Sequence, residues 1–167
     1  MRQVRLRAME PEDLEMLYTI ENDPLLWEVG CSNVPYSRYV LHDYIAQSSG
    51  DIYTDRQVRL IIENARHQTL GMADLLNFDP KNRRAEVGIV IIGQHRRQGY
   101  ASDALAALHD YARQTLHIHQ LYAFIATDNE PSLALFRQSG YHISAPLADW
   151  LYDGQAYHPA IIAQKVL

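Results

Sequence analysis

The chain has 167 residues, of which 47% are hydrophobic and 21% charged, the composition of one globular domain with a core of its own. Its formal net charge of −5 argues against a nucleic-acid partner, and no run of about 18 apolar residues offers a membrane span. One cysteine, Cys31, excludes an internal disulfide framework, and Met1 to Arg7 lack the apolar stretch of a signal peptide. The cytoplasm is the expected compartment. Eight histidines show no metal-ligand spacing; His117-x-His119 has no third ligand near it, so no metal is expected.

Val4 to Arg7 alternate and predict a first strand. Pro11 suits the first turn of a helix that runs to about Asn22, with Glu12 and Asp13 at its positive end. Asp23-Pro24 stops that helix. Leu25 to Ser37 is aromatic and irregular. Ser37 is placed to cap a second helix, Arg38 to Ala46. The period then changes to two. Gln57 to Glu63, Thr69 to Phe78 and Arg84 to Ile92 predict three antiparallel strands, with a hairpin loop at Asn64–Gln68 and a turn at Asp79–Asn82. Gly71 marks a close approach or a bulge. A long helix follows from Ser102 to about Thr115, then a strand from Leu121 to Ala126. Asn129 opens a short helix through Gln138, which Gly140 ends. Tyr141–Leu151 and Ala156–Val166 form a last hairpin around Asp153-Gly154, a dipeptide that favours two-residue turns.

The charge is uneven. Glu10 to Asp55 hold ten acids and one base, Arg38, a net of −9; Lys81 to Arg113 hold six bases and three acids, a net of +3. Such polarity suits an anionic cofactor at one place and a cationic substrate at another.

The stretch richest in chemistry is Gln94-His95-Arg96-Arg97-Gln98-Gly99-Tyr100-Ala101-Ser102. It joins a buried strand to a helix N-terminus, where unpaired N–H groups and the helix dipole attract phosphate. Gly99 lets a ligand approach the backbone. The P-loop ending and the three glycines of the dinucleotide turn are both absent.

Arg96-x-x-Gly99-x-Ala101 resembles the R/Q-x-x-G-x-G/A signature of the GNAT superfamily of N-acetyltransferases. Asn129-x-x-Ser132-x-x-Leu135-Phe136-x-x-x-Gly140-Tyr141 resembles the family's second motif. The opening Val4-Arg5-Leu6-Arg7-Ala8 with Glu12-Asp13-Leu14 is similar to the start of spermidine, diamine and ribosomal-protein N-acetyltransferases. The resemblance implies an α+β GNAT fold: a mixed central sheet of about seven strands, splayed between the fourth and fifth, with helices on both faces. It implies acetyl-CoA as co-substrate, its pyrophosphate held by Arg96, Arg97, Gln98, Gly99, Tyr100, Ala101 and Ser102. Its pantetheine arm would lie along the strand edge at Ile89, Val90 and Ile91 and against Asn129, Ser132 and Phe136. Asn129 reads equally as a helix N-cap.

Acetyl transfer to an amine needs the thioester held, its carbonyl polarised, the ammonium deprotonated and the thiolate released. Backbone N–H groups at a splayed edge serve the first two needs; one such donor is worth about 10²–10³ in rate. A primary ammonium has a pKa near 10.4, so a base is required. By resemblance Glu86 is that base, acting through water; it also reads as a partner of Arg83 or Arg84. Many members protonate the thiolate with a tyrosine where this chain has Phe136. A thiol of pKa about 8.5 leaves readily, so the change removes a helper rather than the reaction, and water or Tyr36 could substitute.

The family builds its acceptor site from the first two helices, their loop and the last hairpin. Here Trp27, Glu28 and Tyr36 fall in that region, and aromatic rings with carboxylates suit a cation. The expected activity is acetylation of a primary amine, a polyamine such as spermidine first. A protein N-terminus or an amino sugar is the rival acceptor, and an acyl-CoA-binding regulatory module that has lost catalysis is the rival class. A second copy of the chain is a further expected partner, through an exposed edge of the last hairpin.

Overall fold

A computed structural model describes residues 4–27 and 34–167, with the backbone alone at Trp27. Strands β1 (Val4–Ala8), β2 (Val58–Asn64), β3 (Thr69–Asp79), β4 (Arg84–Ile91), β5 (Gln120–Ala126), β6 (His142–Tyr152) and β7 (Tyr157–Val166) form one seven-stranded sheet. Its order is β1-β2-β3-β4-β5-β7-β6. Only β4 and β5 are parallel; the other pairs are antiparallel.

The helices are α1 (Leu14–Glu21), α2 (Pro24–Trp27), α3 (Arg38–Gln47), α4 (Ile52–Asp55), α5 (Tyr100–Gln114) and α6 (Glu130–Gln138), with a 3-10 turn at Pro11–Asp13. The caps follow the sequence. Ser37 accepts a hydrogen bond from the Val40 N–H at 3.2 Å, and Gly140 takes φ +85° past α6. Two short helices were not legible. Pro24 stops α1 but also opens α2, because its fixed φ suits a first helical residue. In α4, Asp51 accepts from the Tyr53 N–H at 3.1 Å.

Helices cover both faces. On one, Leu105, Leu108 and Ala112 of α5 and Leu133 of α6 pack with Leu60, Ile62 and Leu75 of the sheet. On the other, Leu17 of α1 and Leu41 of α3 pack with Ile61 and Met72. Adjacent residues in β2 thus serve opposite cores, as a pleated strand requires.

Gly71 is both a close approach and part of a bulged region. The β2–β3 register slips between Ile62 and Glu63, and a Cβ on Gly71 would overlap the Val90 carbonyl of β4. Gly71→Ala is therefore expected to cost about 1–3 kcal/mol through overpacking, read as a lower urea midpoint.

The last hairpin departs from expectation. Pairing closes at Tyr152–Tyr157, so four residues, Asp153 to Ala156, make the loop. The Asp153 N–H donates to the Ala156 carbonyl at 3.2 Å. The Asp153 carboxylate accepts from the Gln155 and Ala156 N–H groups at 2.7 and 2.8 Å. Asp153 thus braces the loop from one side, which moves the tip to Gly154 and Gln155.

Candidate active site

The parallel pair β4–β5 is short. It joins Arg84 to Gln120, Ala85 to Leu121 and Glu86 to Tyr122, and beyond these the strands part. β5 goes on pairing with β7 as far as Ala126–Ala160. The gap opens a cleft of about 490 Å³, with Val87 to Val90 on one wall and Ala123 to Ala126 on the other. Asn129, Ser132 and Phe136 of α6 also line it. Ile89 and Val90 therefore flank the gap. Ile91 lies in the core, and its carbonyl accepts from Arg96 Nε at 2.8 Å.

Past β4, a 3-10 turn at Gly93–His95 leads to the basic corner. The Arg96 N–H donates to the Gly93 carbonyl, and the Asp103 N–H donates to the Gly99 carbonyl. Gly99 is the N-cap of α5 at φ +84°, and no side chain caps the helix. A Cβ on Gly99 would meet nothing within 4 Å; glycine is needed there for its φ, not for protein packing. Arg97 also takes a positive φ, +56°. Gln98 Nε2 donates to the Gln94 carbonyl at 3.0 Å. His95 meets Tyr100 edge-on, with centroids 6.4 Å apart. Ala101 and Ser102 continue the first turn, and Asp103 is the one acid in it. The corner is thus a helix N-terminus with exposed arginines beside it.

At the other end the cleft reaches charges that the sequence did not single out. Arg59 of β2 bonds Asp74 of β3 through two nitrogens, each at 3.0 Å, and Glu21 of α1 at 2.6 Å. Burial pushes the Asp74 carboxyl above its usual range against the pull of Arg59. The Tyr44 ring lies 5.7 Å from the Arg59 guanidinium. With Glu86, the described residues of the cleft wall carry three carboxylates against one guanidinium. Glu86 Oε2 accepts from Asn77 Nδ2 at 2.8 Å. It pairs with neither Arg83 nor Arg84; Arg84 goes to Asp79 at 3.2 Å. Tyr36 also lines the cleft. Its N–H donates to Asn22 Oδ1 at 2.7 Å and its carbonyl accepts from Asn22 Nδ2 at 3.0 Å, so Asn22 pins it. Glu28 and the Trp27 side chain lie outside the described residues.

Asn129 is an N-cap, accepting from the Ser132 N–H at 3.2 Å. Phe136 is buried and packs edge-on against Tyr141, centroids 4.8 Å apart. The Tyr141 hydroxyl is engaged with His109 Nε2 at 3.0 Å, and burial pushes this phenol up. Burial, then Lys165, lowers His109 to about 4. An unfolded histidine titrates near 6.5. Between pH 6.5 and 4 the unfolded chain gains a proton there that the folded chain refuses, so stability falls as pH falls. The urea midpoint is expected to drop over that window, and His109→Gln is expected to flatten the drop.

A sheet parted between two parallel strands, with a helix N-terminus beyond one of them, is the architecture that the resemblance to N-acetyltransferases implied. Comparison with known proteins agrees: residues 3–142 match the family model described as an acetyltransferase (GNAT) domain. The chain belongs to the GNAT family of N-acetyltransferases, whose acyl donor is acetyl-CoA. It is similar to spermidine N(1)-acetyltransferase of Escherichia coli strain K12, 24% identical over 95% of this chain and 83% of that one. It is also similar to the putative ribosomal N-acetyltransferase YdaF of Bacillus subtilis, 27% identical over 95% and 88%. The crystal structure of spermidine N-acetyltransferase from Vibrio cholerae in complex with CoA and spermine superposes with a TM-score of 0.87 at 22% identity, covering 98% of this chain and 95% of that one. Among the described residues, no helix is long and apolar enough to cross a membrane and no cluster of metal-ligating residues occurs.

Proposed function

We propose that the protein acetylates a primary amine carried on an extended cation, a polyamine such as spermidine first. The observation that carries this reading is the charge of the cleft. Among the described residues, Glu21, Asp74 and Glu86 face one guanidinium, Arg59, a net formal charge of −2 on a wall that also holds Tyr36 and Tyr44. Carboxylates with aromatic rings suit an ammonium on an aliphatic stem. The curated relatives named for spermidine acetylation support the same choice.

In this reading the first turn of α5, with Arg96 and Arg97, holds the diphosphate of acetyl-CoA. Backbone N–H groups of β4 freed by the splay polarise the acetyl carbonyl. Glu86 removes the amine's proton, through water, at the apex of the gap. Phe136 offers no proton to the departing thiolate, and water or Tyr36, whose backbone Asn22 holds at the cleft wall, supplies one. An exposed edge strand, β6, supports a second copy of the chain as a partner.

Acetyl-CoA, a thiol-detecting dye and a panel of amines test the reading. Saturable CoA release is expected with spermidine. A basic peptide N-terminus or an amino sugar as the best acceptor would favour the rival supported by the ribosomal-type relative. Bound acetyl-CoA with no thiol released by any amine would make the protein a binding module. Gly99→Val is expected to weaken acetyl-CoA binding about tenfold, or 1.4 kcal/mol, by filling the ligand's approach; unchanged affinity would count against the basic corner.

A further inference from the structure

The β3–β4 ladder contains an irregularity beside Glu86. Leu76 pairs with Glu86, but the next recorded pair is Asp79 with Arg84. Asn77 within β3 and Arg83, in the turn just before β4, both take φ +49°. Left-handed backbone costs roughly 1 kcal/mol or more at a residue with a Cβ, and asparagine is among the few that tolerate it.

The distortion changes which side chain faces which way. Leu75 is fully buried in the α5-side core. Strict alternation from Leu75 would send Asn77 into that core and Phe78 to the cleft face. Instead Phe78 is in the core, its N–H donating to the Arg56 carbonyl at 2.9 Å, and Asn77 is exposed. The Asn77 amide then meets Glu86 Oε2 at 2.8 Å. Bulges recur next to active sites because they re-aim one side chain in this way.

We propose that Asn77 is a positioning residue for acetyl transfer, fixing the Glu86 carboxylate so that its second oxygen faces the cleft. This rests on the reading of Glu86 as the base. The amide donates to one oxygen and leaves the other oxygen for the proton. Tyr122 faces Glu86 from β5, and the Arg84–Asp79 pair lies close by; Asp74 lies deeper in the same cleft, bound to Arg59. Asn77 is the side chain of this set that donates to Glu86.

Two substitutions keep the left-handed backbone accessible: Asn77→Asp, which replaces the donor by a like charge, and Asn77→Gly, which removes it. The test is kcat/KM for spermidine against pH. Asn77→Asp is expected to move the acidic limb up by about one pH unit and to lower kcat about tenfold, with the acetyl-CoA KM little changed. Asn77→Gly is expected to move it in the same direction by less. A merely structural role would lower activity with the limb in place, and that result would overturn the proposal while leaving Glu86 as base. If Glu86→Gln keeps the wild-type limb, the reading of Glu86 fails and this proposal falls with it.

Discussion

Arg59→Ala is expected to destabilise the protein by about 3–5 kcal/mol, the usual cost of removing one partner from a buried ion group. The side chains of Arg59, Glu21 and Asp74 are only 19%, 19% and 12% exposed, so solvent cannot replace the lost guanidinium. The substitution leaves two carboxylates facing each other in a low-dielectric wall, and one of them, Asp74, is already pushed up by burial. A protein of this length loses about 2–4 °C of Tm per kcal/mol, so thermal unfolding is expected to fall by roughly 6–20 °C. The triple change Glu21→Leu, Arg59→Met and Asp74→Leu removes all three charges together and is expected to recover most of that loss. It should do so without recovering polyamine turnover, because the charge of the cleft goes with it. A single Arg59→Ala variant that unfolds like wild type would mean that the cluster is solvated and contributes little.

Glu86→Gln is expected to lower kcat by about 10²–10⁴, equivalent to about 3–5 kcal/mol of barrier. Glutamine is nearly isosteric and can still bond Asn77, so the fold and the affinity for acetyl-CoA are expected to survive. What goes, on the proposed reading of Glu86, is the proton acceptor. The residual rate should then climb with pH along the amine's own deprotonation, shifting the optimum upward. A normal rate with an unaltered pH profile would remove Glu86 from the chemistry.

The sequence shows the elements more readily than it shows what they meet. The strands announce themselves as alternating or short apolar runs, and α5 through its three- and four-residue apolar spacing, because those patterns are set by local backbone geometry. The basic corner is legible for the same reason: strand, turn, glycine and helix are contiguous. The Arg59–Asp74 pair is legible only to a reader who knows the register. Counting back from the Glu63–Thr69 pair at the hairpin sets Arg59 opposite Ala73. The slip between Ile62 and Glu63 moves the partner to Asp74 and brings the two charges onto one face. A lone aspartate inside the apolar run Leu70 to Leu76 was the available signal, since a buried carboxylate demands a partner. The parting of β4 from β5 has no local signature at all. It was expected through family resemblance, and it appears in the structure as three paired positions followed by none. Asn77 was hidden for a related reason: the left-handed turn that re-aims it interrupts the alternation from which its direction would be read.

The account depends most on one claim, that the parted strands and the head of α5 together hold acetyl-CoA. A crystal structure of the protein grown with CoA tests it directly. The account predicts the diphosphate within hydrogen-bond distance of backbone N–H groups between Arg97 and Ser102, and the thiol lying between β4 and β5 towards Glu86. A CoA molecule found elsewhere, with the gap between the strands closed, would contradict it.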